Sequence, residues 1–409
     1  ESFELVYDLP NQANELLTLF RQLGVCHVHY HHLLGHSPFV LQLAHRLGVT
    51  YDFTAHDYYT VCPQITLTDW TNGYCGEQGV QQCSKCLARS PAPDGSDIVR
   101  WRSRHTEFLD AARFVIAPGR DALQRLAKQA LGAPLQWVPH TDIAPDQILP
   151  KPAPARLEGN RPLRVAVIGA LSIIKGADVL EDVAVAARQH NAPVEFHLLG
   201  YGYRTLRTQP HARLTVHGPY EDKDLPDLLH WLQPDLIWFP AQWPETYSYT
   251  LSACLLGGWP VVAPDLGAFA ERLKGRHWSW VQPWKQSPRQ WLDFFTMLRE
   301  QHFVPGNGPH PVLSLEKEDE LASTRGFEMQ SANWYTHVYL EKLPALHPQR
   351  LTVESLTPFL PVADTGLVAG TKGQALDLLT RLRATPMLGP VARVIPLRWQ
   401  TRVKNWLRR

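Results

Sequence analysis

At 409 residues, with 44% hydrophobic and 19% charged residues, the chain is long enough for two or three domains that each bury a core, so it needs no metal merely to fold. A net charge of +1 gives no global basic field for nucleic acid, and no apolar run approaches the ~20 residues that span a bilayer. The opening "ESFELVYDLP" has neither the charged nor the apolar region of a signal peptide. Beginning at Glu1, the sequence reads as a piece of a longer polypeptide, with a reducing, cytoplasmic compartment as the expectation.

The first elements alternate. "NQANELLTLFRQLG" has apolar residues at helical spacing and stops at Gly24, "VCHVHYHH" reads as a short strand, and "PFVLQLAHRLG" followed by "VTYDFTAHD" repeats the pair. His27, His29, His31, His32 and His36 cluster at the end of the first strand, and His56 ends the second. The irregular spacing of that cluster favours a ligand-facing rim over a metal site.

Next, Cys62, Cys75, Cys83 and Cys86 form a C-x12-C-x7-C-x2-C pattern on a loop interrupted by glycine and proline. Four thiolates suit a closed, tetrahedral structural zinc site with no open position for chemistry. An iron–sulfur cluster takes the same ligands, and four reduced cysteines without metal are the plain alternative.

After this loop the alternation resumes through "RHTEFLDAARF", "FVIAP", "RDALQRLAKQALG" and "LQWVP", and repeated units of this length imply a mostly parallel sheet covered by helices. The proline-rich "IAPDQILPKPAPARLEGNRP" reads as a linker. A second series then runs from "LRVAVIGAL" through "GADVLEDVAVAARQH", "VEFHLLG", "RLTVHG", "DLPDLLHWL", "DLIWFPA" and "TLSACLLGG" to "WPVVAP", a second doubly wound domain whose strand ends are the expected ligand-binding edge. Beyond about Leu273 the pattern loosens until "GFEMQSANWYTHVYLEKL" offers another amphipathic helix. The end of the chain, "VARVIPLRWQTRVKNWLRR", mixes Arg and Lys with Trp and Leu, the composition of an interfacial helix on anionic lipid.

Two stretches carry chemistry. In "VIGALSIIKGADVL" a strand ends at Gly169, and a loop leads through Lys175 and Gly176 into a helix, so free backbone N–H groups, the positive helix end and a lysine converge as a diphosphate would require. In "FPAQWPETYSYTLSACLLGGWPVVAPDLGA", Glu245 follows a strand end. Thr246, Tyr247, Ser248, Tyr249, Thr250 and Leu251 then bring hydroxyls and amides to a helix start, and a carboxylate there can accept bonds from sugar hydroxyls. The simpler readings are a surface lysine in an ordinary loop, and a helix capped by Thr250 beside a solvated glutamate.

Through "GALSIIKGADVL", "HGPYEDKDL", "WPETYSYTLSACLLGGWPVVAPDLGAFAERL" and "THVYLEKL", the chain resembles the GT-B glycosyltransferases of family 4, of the bacterial surface-polysaccharide type, over about His27 to Leu343. The resemblance implies two doubly wound Rossmann-like domains facing a central cleft. The expected layout is an acceptor-side domain over 1–150 that lacks its first elements and carries the cysteine-rich loop 62–86, then a nucleotide-sugar domain over 160–325, followed by a closing helix over 326–345 and, from composition, a basic extension over 346–409.

It further implies that Lys175 contacts donor phosphate, that Glu245 is the first glutamate of an E-x7-E element and that the amides of Tyr249 to Leu251 clamp phosphate. Gly218 and Pro219 would lie near the nucleotide base, and His56 would face the donor sugar. Two positions depart from the pattern: Ala253 stands where the second glutamate is usual, and Ala170 where an arginine often is.

The activity so implied is transfer of a sugar, with retention, from a nucleotide-diphosphate sugar to a saccharide or lipid-linked acceptor in O-antigen, capsule or exopolysaccharide synthesis. His56, Lys175 and Glu245 would carry the transfer, no cofactor would be needed, and contact with the inner face of the plasma membrane would be peripheral. A catalytically degenerate GT-B nucleotide-sugar-binding protein and a zinc-dependent binding module are the alternatives.

Overall fold

In the first lobe, helix α1 (Ala13–Gln22) precedes strand β1 (His27–Tyr30), α2 (Phe39–Leu47) and β2 (Thr50–Thr54). Then follow α3 (Val80–Arg89), α4 (Ile98–Asp110), β3 (Val115–Ala117), α5 (Arg120–Gln129) and β4 (Leu135–Trp137). Helix α5 lays an apolar stripe on the sheet with Leu123 and Leu126, both fully buried. Asp97 starts α4 by accepting bonds from the Val99 and Arg100 amides, and Gly48 ends α2 in the left-handed conformation. The four strands pair in parallel in chain order. The cysteine segment, expected as a loop, contains α3, which carries Cys83 and Cys86.

The second lobe contains β5 (Leu163–Leu171), α6 (Ala177–Gln189), β6 (Val194–Gly202), β7 (Leu214–Gly218), α7 (Leu225–Leu232), β8 (Leu236–Trp238) and α8 (Tyr249–Leu256). It continues with β9 (Val261–Pro264), α9 (Ala268–Leu273), β10 (Ser279–Gln282) and α10 (Pro288–Leu298). Its six parallel strands are ordered β10-β9-β8-β5-β6-β7, so the winding direction reverses between β5 and β8. That reversal makes a doubly wound sheet and leaves a crevice at the carboxyl ends of its strands. The central strand β5 is largely apolar on both faces, its side chains shared between the two core clusters on either side of the sheet.

Strand β10 and helix α10 fall where the sequence pattern loosens. The Ser287-Pro-Arg-Gln290 capping box at the start of α10 was a readable signal for it. Among the described residues neither helix nor strand lies between β4 and β5, and Leu157 anchors the crossing by donating to the Phe303 carbonyl.

After α10 the chain returns to the first lobe. Gln330 N–H donates to the Trp137 carbonyl, Trp334 packs on Ile116 and Val138, and a wide helical turn over Tyr335–Leu340 brings Tyr339 against His29.

The structure, a computed structural model, describes residues 7–130, 132–144, 147–308, 327–331 and 333–344. All elements above lie in one unit, Leu9–Arg350. The basic C-terminal segment lies outside the described residues. No helix among the described residues is long and apolar enough to cross a membrane.

Candidate functional site

The carboxyl ends of the two sheets meet. Thr246, just past β8, donates from its hydroxyl to the carbonyl of His56, just past β2, at 2.9 Å. Tyr247 donates to Asp142, beyond β4, at 2.6 Å. Trp243 packs against the cores of both lobes. Of the predicted site residues, Thr246 and His56 are thereby in direct contact across the two lobes.

On the second lobe, Glu245 sits in a loop folded tightly over α9. Gly267, at φ 59°, allows this: a Cβ there would collide with the Glu245 backbone, and Ala268 N–H donates to the Glu245 carbonyl at 2.8 Å. Burial raises the Glu245 pKa, while the positive field of Lys175 and the Ser248 hydroxyl oppose the rise. Lys175 is exposed, and the turn before α6 holds its backbone by donation to Ser172.

Ser248, at φ 76°, accepts from Leu251 N–H and so caps α8. The Leu251 amide is thereby occupied, whereas the Tyr249 and Thr250 amides are first-turn donors without an intrahelical acceptor. Arg272 shapes the loop from below: it donates to the Tyr247 and Ser248 carbonyls at 3.0 and 2.8 Å and lies 4.0 Å from the Tyr247 ring centre. Sequence reasoning did not single out Arg272, whose role is visible only in this contact set.

Gly169 and Gly200 are register partners on β5 and β6, so close that a Cβ on Gly200 would strike the Gly169 backbone. Gly218 and Pro219 line a cavity of about 510 Å³ with His217, Tyr220, Asp224 and Trp231. Ala253 packs toward the core of the second lobe, and Ala170 is exposed at the end of β5.

On the first lobe the histidine cluster divides. His27 serves the fold: it bonds Thr50 and the fully buried Asp52, which also receives Arg113 and the Phe114 amide. Burial alone would raise the Asp52 pKa, but the bonds from His27 and Arg113 hold it low. His29 bonds Thr54 and Tyr339, and its pKa falls to about 4, by burial first and then by the field of His31. His32 pairs with Asp57 at 2.7 Å, and His36 is exposed on the loop after β1.

His31 and His56 share a 3.0 Å hydrogen bond between ring nitrogens. Burial, and then the field of His140, lower the His56 pKa to about 4.

The four cysteines of the loop feel one another electrostatically, and burial raises Cys62 to about 12 and Cys75 to about 11. Cys83 lies 3.6 Å from the Arg102 guanidinium. The donor set suits zinc, yet among the described residues no three His, Cys, Asp or Glu side chains are placed to hold a metal ion.

No family model matches the chain, and no curated protein matches it. Among solved structures, sucrose-phosphate synthase from Thermosynechococcus elongatus is similar at TM-score 0.46 and 12% identity, over 78% of this chain and 76% of that one. Anabaena HepE in complex with UDP is similar at TM-score 0.44 and 12% identity, over 72% and 74%. The pneumococcal O-GlcNAc transferase GtfA, in complex with UDP and GlcNAc, is similar at TM-score 0.47 and 10% identity, over 74% of this chain and 55% of that one.

Proposed function

We propose that this chain is a GT-B glycosyltransferase of family 4 that moves a sugar, with retention, from a nucleotide-diphosphate sugar to a saccharide or lipid-linked acceptor in surface-polysaccharide synthesis. The observation that supports the reading is the contact of Thr246 with His56 across the lobes, with Glu245 next to Thr246 in the field of Lys175 and near the start of α8.

In such a transfer the bond from the anomeric carbon to the donor phosphate breaks and negative charge develops on the leaving diphosphate. Lys175 and the Tyr249 and Thr250 amides are arranged to oppose that charge without a metal ion. Glu245, beside them, is a fit acceptor for sugar hydroxyls, and the cavity at Gly218 and Pro219 has room for a base. His56 offers its second ring nitrogen to the sugar from the opposite wall.

The cysteine quartet is proposed as a structural zinc clamp on the loop beside this site, outside the chemistry. Contact of the basic C-terminal segment with anionic lipid is proposed as the way to a lipid-linked acceptor; its removal should reduce sedimentation with anionic liposomes.

Calorimetric titration with UDP, GDP and TDP tests the donor assignment: one saturable isotherm is expected, followed by hydrolysis or transfer of the matching nucleotide sugar. Binding by none would overturn the reading. Binding without turnover of any matching sugar would favour the degenerate GT-B alternative, to which Ala253 and Ala170 point.

A further inference from the structure

His140 attracts no attention in the sequence, yet it occupies the middle of the site. It lies beyond β4, and its ring is stacked between His56 of the first lobe, at 5.4 Å and 12°, and Tyr249 at the start of α8, at 5.4 Å and 15°. Tyr247 meets it edge-on at 4.7 Å. The stack continues beyond His56 to His31 and His29, with centroid separations of 5.3 and 4.3 Å, so a file of rings runs from inside the first lobe to the first residue of α8.

The ring of His140 packs on those of His56, Tyr247 and Tyr249, and no hydrogen bond from a described residue reaches either ring nitrogen. A ring needed only for packing would do better as phenylalanine, because a half-buried imidazole leaves a donor and an acceptor to satisfy. The groups that face it are His31 and His56 from the ends of β1 and β2, Asp142 from its own segment, Tyr247 and Tyr249 from the α8 loop, and Arg272 from α9. Burial lowers its pKa first, Asp142 opposes that, and Arg272 and His31 add to it. Without ligand the ring is therefore neutral at pH 7, beside a helix start that attracts anions.

We propose that His140 is a binding residue for the donor diphosphate, donating a ring N–H to a phosphate oxygen and taking up one proton from solvent as the anion arrives. The added negative charge supplies what the free site lacks, namely a counter-charge that offsets the burial of an imidazolium. His140 then adds a donor from the first-lobe side, beside the start of α8 on which its ring stacks. This inference rests on the glycosyltransferase reading.

The test uses the nucleoside diphosphate that binds in the titration above, at about pH 7.5, in buffers of different ionisation enthalpy. The wild-type protein should take up a proton on binding, and its affinity should rise as pH falls from 8 to 7, by about tenfold per unit for one full proton. His140→Phe, which keeps the stack, should abolish the uptake and flatten the pH dependence. His140→Gln is the second replacement, and histidine-selective NMR of the wild-type protein reads the protonation directly.

Uptake retained in a folded His140→Phe variant, or lost only in His56→Phe, overturns the proposal and leaves the transferase reading intact. So does wild-type binding without proton uptake. Failure of the wild-type protein to bind any of the three nucleotides overturns both.

Discussion

Glu271 of the second lobe caps a helix of the first: its carboxylate accepts from Asp121 N–H at 2.8 Å and from Arg120 N–H at 3.1 Å, at the start of α5. Gly119 leaves room for this, since a Cβ there would collide with a Glu271 carboxylate oxygen. From the same helix Asp121 binds Arg125, which in turn binds Glu77 and Tyr74 of the cysteine-rich loop. Trp284 of the second lobe closes the circuit by packing on Gly73 and Tyr74.

Loss of this cap should be measurable. Glu271→Ala leaves two buried amides of α5 unpaired and is expected to destabilise the protein by about 1–2 kcal/mol. Gly119→Ala should do much the same by displacing the carboxylate. Denaturant unfolding of the single and double variants checks both. If the two losses add fully, the cap is not what the two substitutions share.

Gly176→Ala tests the turn that presents Lys175. Gly176 has φ 86°, and a Cβ there would run into the Pro240 carbonyl. Strain of about 1–3 kcal/mol is expected, with weaker nucleotide binding through displacement of Lys175. Unchanged stability would show that the turn adapts freely.

Lys175→Ala and Glu245→Ala should each weaken nucleotide or nucleotide-sugar binding by about tenfold or more, equivalent to ~1.4 kcal/mol, with the fold retained by circular dichroism. Wild-type affinity in both variants would remove these residues from the donor site.

For the cysteines, elemental analysis of protein purified without added metal should give near one zinc per chain. The raised thiol pKa values of Cys62 and Cys75 mean that ligation must expel protons, so zinc binding to stripped protein should acidify a weakly buffered solution. Absence of both zinc and iron from the purified protein sinks the clamp.

Stability should fall in acid. Burial lowers His29 and His105 to about 4 in the folded protein, whereas the unfolded chain protonates them near 6.5. Their contribution is therefore fully present above about pH 6.5 and is lost progressively as pH drops toward 4. Glu271 acts with the opposite sign: burial raises it to about 7, against the two amides that favour its charged form, so it loses stability as pH rises toward 7. Glu271→Gln should accordingly steepen the acid loss. Unfolding midpoints at pH 7, 5.5 and 4.5 for both proteins decide the matter, and a flat wild-type profile would contradict it.

The sequence by itself determined the alternation of helices and strands, because apolar spacing and glycine stops are local. "LRVAVIGAL" and "RDALQRLAKQALG" became β5 and α5 with ends close to those expected. It also marked Lys175 and Glu245, since a strand end followed by a helix start is written in consecutive residues. It obscured β10, only four residues long, and concealed α3 within a segment dominated by cysteines.

What only the tertiary structure decided is which distant residues share a surface. The division of the histidines, with His27 bound to buried Asp52 and His31 and His56 at the site, depends on the register of β1 against β2. Arg272 reaches the Tyr247–Ser248 loop only through the packing of α9 on it, while His140 meets Tyr249, and Glu271 a helix to cap, only when the two lobes meet. The His140–Tyr249 and Asp121–Glu271 contacts join residues more than a hundred positions apart, and packing across the crevice, which no local spacing encodes, is what brings them together.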